Sequence, residues 1–233
     1  MTAETTMNPK QRVALHAANL VEADMIVGLG TGSTANLFIE ALAKRHHNEN
    51  LNVTTVSSSA ISAIKAKEAG LPVVSIDSLD ELDLYVDGAD EVTPDLTLLK
   101  GRGQDLVREK LLATAADQFF VMVDESKLVE VIGEKSPIPV EVMPEAWKLV
   151  FNQLKHQGGR GDLRLNASGD NVAVTAHGSL VLDMYFDHVD SLELTMILDT
   201  IPGVVEHGIF SDLATAVFIG GDTEVEEHWR QEP

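Results

Sequence analysis

Apolar positions recur at helical spacing over residues 9–22. Pro9 stands at a favourable first helical position, and Val13, Leu15, Ala17, Ala18 and Val21 line the stripe behind it. A short apolar run, Met25-Ile26-Val27-Gly28-Leu29-Gly30, then reads as a buried strand entering glycines. Residues 33–45 return to helical spacing through Ala35, Leu37, Phe38, Ile39, Ala41 and Leu42. The β-branched stretch 51–56 predicts a strand ending in Ser57-Ser58-Ser59, and a helix follows as far as Gly70, a suitable C-cap. Residues 72–76 and 82–86 predict further short strands, 104–118 a helix, and 119–123 another buried strand. Strands interleaved with helices predict an α/β fold with a parallel sheet covered by helices on both faces.

The pattern changes near Gly133, where Lys135-Ser136-Pro137-Ile138-Pro139 reads as a proline-punctuated link. Beyond it, 140–143, 171–176 and 180–186 predict strands, and 145–156 and 189–200 predict helices. Gly158-Gly159-Arg160-Gly161 reads as a turn between them. This is an α+β pattern, and it divides the chain into a larger α/β domain (1–133 with 207–233) and a smaller α+β domain (134–206). Residues 215–219 predict a strand returning to the first sheet, and the acidic tail 222–233 predicts frayed chain.

Composition narrows the function more than the fold. The chain of 233 residues has 17 Lys and Arg against 37 Asp and Glu, a formal charge of −20, half of it after residue 150. Such a charge repels nucleic acid and anionic membrane. Cysteine is absent, which excludes disulfides, thiolate catalysis and zinc–thiolate sites. No leader pattern opens the sequence, and no apolar run approaches the roughly 20 residues that span a bilayer. The expectation is a soluble cytoplasmic protein. His177, His188, His207 and His228 scatter without metal-ligand spacing, and no Gly-x-Ser-x-Gly elbow is present.

Four segments could carry chemistry. Gly28-Leu29-Gly30-Thr31-Gly32-Ser33-Thr34 lies between a strand and a helix. Its glycines allow close backbone approach, the helix start offers N–H groups to an anion, and Thr31, Ser33 and Thr34 add hydroxyls. A phosphate cradle fits better than a dinucleotide site, because Ser33 stands where the last fingerprint glycine would be and Ser57-Ser58-Ser59 stands where an acid would be wanted. The structural alternative is a capped tight turn. Tyr85-Val86-Asp87-Gly88-Ala89-Asp90-Glu91 sets three carboxylates at a strand end, the usual ligand position in open α/β sheets. They could serve as acid or base, bind a divalent metal, or form a solvated turn.

Lys100-Gly101-Arg102-Gly103 puts a cation on a glycine-rich loop, and Arg108-Glu109-Lys110 follows on a helix. Helical spacing sets Glu109 between Ala113 and Ala116 and near Leu106, a small and partly apolar face on which a carboxylate could serve as a base. The alternative is a surface glutamate paired with Arg108, Lys110 or Arg102. Lys127, in Val123-Asp124-Glu125-Ser126-Lys127, could reach an anion or face water.

Taken together, the Gly-Thr-Gly-Ser-Thr core, the Asp-Gly-Ala-Asp-Glu turn, Lys100–Gly103, Arg108-Glu109-Lys110 and Ser126-Lys127 occur in the order and spacing of ribose-5-phosphate isomerase, type A. Residues 137–143 and 201–205 also look like that family, and the resemblance runs from about Lys10 to Gly221. It implies a Rossmann-like parallel sheet plus a smaller ferredoxin-like domain. It implies interconversion of D-ribose 5-phosphate and D-ribulose 5-phosphate in the non-oxidative pentose phosphate pathway, through an enediolate, with no cofactor or metal. It also implies a homodimer or a dimer of dimers.

By the same resemblance, Thr31, Gly32, Ser33 and Thr34 hold the phosphate, with Lys10 and Lys127. Asp87 and Asp90, with Gly88 and Ala89 between them, bind sugar hydroxyls and assist ring opening. Glu109 moves the proton between C2 and C1. Lys100, with the backbone of Gly101, Arg102 and Gly103, stabilises the oxyanion. Arg102 stands where many members have glycine. The rival readings are a sugar-phosphate-sensing module, which would not need Glu109 and Lys100, and a dinucleotide-dependent dehydrogenase.

Overall fold

The computed structural model describes residues 7–187 and 190–231. In chain order the elements are α1 (Pro9–Asn19), β1 (Ile26–Leu29), α2 (Ser33–Asn48), β2 (Thr54–Ser57), α3 (Ala60–Glu68), β3 (Leu82–Gly88), β4 (Glu91–Val92), β5 (Leu98–Leu99), α4 (Leu106–Ala115) and β6 (Ala116–Asp124). They continue as β7 (Ile138–Val142), α5 (Trp147–His156), β8 (Gly159–Leu163), β9 (Leu180–Phe186), α6 (Ser191–Thr200), β10 (Val204–His207), β11 (Ile209–Phe210), β12 (Ala216–Gly220) and β13 (Val225–Trp229). Two compact units emerge. One holds the described residues of Met1–Ala89, Leu111–Lys127 and Leu213–Pro233, and the other those of Asp90–Lys110 and Leu128–Asp212. The second therefore takes in Asp90–Lys110 as well as the 134–206 stretch that the sequence sets apart.

The first unit is built on a six-stranded sheet of order β13-β12-β6-β3-β1-β2, parallel except for β13. Its helices start where local chemistry supplies caps. Asn8 and Gln11 form a reciprocal capping box around Pro9, with hydrogen bonds of 2.9 and 3.0 Å. Ser59 accepts the N–H of Ser62 at the start of α3. Alternation along β3 sorts its side chains: Leu84 and Val86 join the core formed with Val13, Ala17, Phe38 and Leu42 of α1 and α2, so Tyr85 and Asp87 lie on the opposite face. β1 pairs with β2 on one side and β3 on the other. Strand order therefore reverses at β1, and a crevice forms at the carboxyl ends of β1 and β3.

In the second unit, β7-α5-β8-β9-α6-β10 gives the ferredoxin-like sheet order β10-β7-β9-β8, antiparallel throughout. One face carries Val140, Val142, Leu182 and Met184 against Val150 and Leu154 of α5 and Leu194 and Leu198 of α6. A small sheet, β11-β5-β4, completes this unit.

Several expected elements differ. Residues 159–161 form part of β8 instead of a turn. Only Gly158 takes a left-handed φ of 83°, while a Cβ at Gly161 would strike the Asp183 carbonyl across the ladder. The tail pairs as β13 along β12, so Val225–Trp229 is strand and not frayed chain; residues 232–233 lie outside the described residues. The expected strand 72–76 reduces to a bridge between Val73 and Thr55, followed by a 3₁₀ turn. The expected strand 171–176 reduces to bridges at Val172 and Val174, between the left-handed Gly169 and Gly178. The helix expected over 104–118 stops at Ala115, because Ala116 and Gln118 are taken into the ladder with Leu82 and Leu84. Of the scattered histidines, His188 lies outside the described residues.

Candidate active site

The glycine-rich turn sits at the crevice between the ends of β1 and β3. The Gly30 N–H donates to Val86 O at 2.9 Å, and the Thr31 N–H donates to Asp87 Oδ1 at 3.0 Å, so the two strand ends are tied together. A Cβ at Gly30 would overlap the Asp87 carboxylate, which is why this position has none. Gly32, with φ 121°, is the N-cap of α2, and no side chain caps the helix. The first-turn N–H groups of Ser33 and Thr34 therefore lie at the positive end of the helix dipole with no side-chain cap.

The Thr31 hydroxyl has close partners within the protein. Its Oγ1 lies within 2.7–3.0 Å of the hydroxyls of Ser58, Ser59 and Ser62, and Ser62 in turn donates to Gly30 O at 2.7 Å. This hydroxyl cluster fastens the turn from within. Lys10, on α1, donates to Ser33 Oγ at 3.2 Å, which sets a cation at the start of α2. Lys10 also lines a cavity of about 380 Å³ with Asn8, Pro9, Ser126, Gly220 and Gly221. Lys127 is half-buried at the end of the 3₁₀ turn that follows β6.

The three carboxylates at the end of β3 and the start of β4 separate. Asp87 is 1% exposed and accepts from Thr31 N, Gly88 N at 2.8 Å and Tyr85 Oη at 2.6 Å. Tyr85, two residues back on the same face of β3, is itself fully buried and stacks on Phe119. Asp90 is half-buried, with its N–H on Leu99 O. Glu91 is fully buried and accepts the N–H groups of Gly133, Lys135 and Ser136 at 2.6–2.7 Å, a structural clamp on that loop.

In the second unit, Lys100 closes the β5 segment and Glu109 sits in the first turn of α4. They are 4% and 5% exposed, and Lys100 Nζ lies 3.2 Å from Glu109 Oε2. The Lys100 ammonium also lies 5.7 Å from the centre of the Phe210 ring. Glu109 is thus a buried carboxylate with Lys100 as an ion-pair partner. Lys110 turns to Glu206 at 2.6 Å. Gly101, with φ 89°, turns the chain beside Leu106, and the side chain of Arg102 is exposed. Among the described residues, no group of three or more His, Asp or Glu side chains is arranged to hold a metal ion, and no helix is long and apolar enough to cross a membrane.

The family model for ribose 5-phosphate isomerase A (phosphoriboisomerase A) matches residues 54–224. The chain belongs to this family. A ribose-5-phosphate isomerase A of Thermococcus kodakarensis is 45% identical over 213 residues, 91% of this chain and 93% of that protein. The solved ribose 5-phosphate isomerase A of Methanocaldococcus jannaschii superposes with a TM-score of 0.90 at 39% identity, covering 95% of this chain and 98% of that one. A D-ribose-5-phosphate isomerase in complex with phospho-erythronic acid superposes with a TM-score of 0.92 at 38% identity, over 96% and 100%. Tyr85, bonded to Asp87, and Ser62, bonded to Thr31 and Gly30, are partners of the expected site residues that sequence patterns did not single out, and Glu91 was singled out without its clamp role. Only the i, i+2 spacing of Tyr85 and Asp87 on one strand face pointed to the first of them.

Proposed function

We propose that this protein interconverts D-ribose 5-phosphate and D-ribulose 5-phosphate by proton transfer through an enediolate. The observation that carries this reading is the buried Lys100–Glu109 pair at 3.2 Å. A buried carboxylate beside a fixed cation is what the reaction requires. One group takes the C2 proton and returns it to C1, and the other balances the charge that builds on the carbonyl oxygen.

The remaining roles follow from the same chemistry. The N–H groups at the start of α2, with Ser33, Thr34 and Lys10, hold the phosphate, and Thr31 and Gly32 give the turn its shape. Lys127 adds a second cation at that end. Binding energy from the phosphate orients the reacting carbons. Asp87 and Asp90 bind sugar hydroxyls beside Gly88 and Ala89 and assist ring opening, and the loop of Gly101, Arg102 and Gly103 adds N–H donors at the oxyanion. The protein would work in the cytoplasm on a small sugar phosphate, as a homodimer or a dimer of dimers. Of the catalytic residues, Asp87 belongs to the first compact unit and Asp90, Lys100 and Glu109 to the second.

The deciding experiment is a coupled assay of purified protein with ribose 5-phosphate, run with and without chelator. Formation of ribulose 5-phosphate, unchanged by chelator, is expected. Protein that binds the sugar phosphate without making the ketose would leave only the sensing role.

A further inference from the structure

Arg164 follows β8, and its N–H continues the ladder onto Val181 O at 2.8 Å. Register puts it on the same sheet face as Asp183, diagonal to it, and opposite to the face that packs on α5 and α6. Its guanidinium takes Asp183 with two bonds, Nε to Oδ2 at 2.9 Å and Nη2 to Oδ1 at 2.5 Å. The two N–H groups of Nη1 are shared among three successive main-chain oxygens, those of Gly101, Arg102 and Gly103, at 2.9, 3.1 and 2.6 Å. The next oxygen, of Gln104, accepts the Ala176 N–H at 3.0 Å.

Four consecutive carbonyls are thus drawn to one side. The peptides are trans, and in a trans peptide the N–H points opposite to the C=O. The N–H groups of Arg102, Gly103, Gln104 and Asp105 are therefore turned to the other side together. Lys100 stands at the head of this stretch and Glu109 in the helical turn just after it. A surface ion pair alone would do little here. A planar fork that satisfies a carboxylate and three carbonyls fixes the shape of a glycine-containing loop that would otherwise be soft.

We infer that Arg164, anchored by Asp183, is a positioning residue for the isomerisation: it holds the 101–104 loop so that the loop's N–H groups form a preorganised donor set beside Lys100 for the developing oxyanion. This rests on the isomerase reading above.

The experiment compares wild type with Arg164→Met and Arg164→Lys in ribose 5-phosphate turnover. It also measures inhibition by phospho-erythronic acid and by inorganic phosphate, thermal melting, and hydrogen exchange of the 101–105 amides. The carboxylate of phospho-erythronic acid is planar and charged like an enediolate, whereas inorganic phosphate reports only the cradle. Arg164→Met should lose about 10- to 100-fold in kcat with little change in KM. Inhibition by phospho-erythronic acid should weaken in parallel while inhibition by phosphate stays put. Arg164→Lys should recover little, because an ammonium cannot span Asp183 and three carbonyls. Should Arg164→Met not fold, Arg164→Lys and Asp183→Asn carry the comparison.

Near-wild-type kcat in folded variants, full recovery with lysine, or equal weakening of both inhibitors would overturn the inference. If wild type does not isomerise ribose 5-phosphate, the functional reading fails by itself. Amide exchange at 101–105 still tests the clamp, because it should quicken in Arg164→Lys, and unchanged exchange would sink it.

Discussion

Three carboxylates lie within the five residues 87–91 at the end of β3 and the start of β4, and the fold gives each a different setting. Asp87 is enclosed by two backbone N–H groups and a tyrosine hydroxyl. Glu91 is spent on three backbone N–H groups of the 133–136 loop. Asp90 keeps a half-exposed side chain. Residue type and spacing cannot tell these apart, because Thr31, which ties Asp87 to the glycine turn, and all three donors to Glu91 come from segments more than 40 positions away. Glu109 is different: its helical face left a base on a partly apolar surface and a surface ion pair both open, and the fold buries it beside Lys100. Replacing it by glutamine keeps the volume and removes the proton-transfer group, so kcat should fall roughly 10²-fold or more. Phosphate inhibition should be unaltered, since the proposed cradle at α2 and Lys10 does not include Glu109. Steady-state kinetics on Glu109→Gln checks this, and near-normal turnover would remove Glu109 from the base role.

At the scale of elements, α1, α2, β1 and β9 were legible because each has a full apolar period and a local start or stop signal. The misread elements share a cause. β8 and β13 have few apolar residues, and what makes them strands is a partner ladder, Asp183 opposite Asp162 and Ile219 opposite Glu226. β10 carries a further consequence. His207, at its end, is 2% exposed, hydrogen bonds to Asp199 at 3.1 Å and lies near Lys110 and Glu206. Burial first, and the Lys110 charge second, lower its pKa to about 4 against the pull of Glu206 and Asp199. A histidine that binds its proton more weakly when folded stabilises the fold above its unfolded pKa of about 6.5. That stability is lost as pH falls from there toward about 4. Urea unfolding should show about 2 kcal/mol less stability at about pH 5 than at about pH 7 from this group, and His207→Gln should flatten that slope. An unchanged slope in the variant would show that His207 is not the titrating group.

For the whole molecule, the charge of −20 weighs against extended polyanions such as nucleic acid. It describes the overall field, whereas Lys10 at the start of α2 and Lys100 against Glu109 are local cations placed by the fold. Two salt responses of opposite sense follow. Screening of self-repulsion should raise the melting temperature as sodium chloride is increased to roughly 0.3 M. Over the same range, competition by inorganic phosphate should weaken. Calorimetry with parallel inhibition assays measures both. A melting temperature that falls with salt would mean that ion pairs outweigh the net repulsion.

The order of helices and strands, the glycine turn, the acidic turn and the resemblance they carry together were present in the linear pattern. Periodicity, caps and turn residues act over a few positions and are readable there. Which carboxylate is enclosed, which cation faces Glu109, how Thr31 spends its hydroxyl and why Arg164 reaches the 101–103 carbonyls were decided only by tertiary structure. Each of these depends on a hydrogen-bond partner from a distant segment, and a buried polar group takes whichever donor or acceptor the packed fold brings to it.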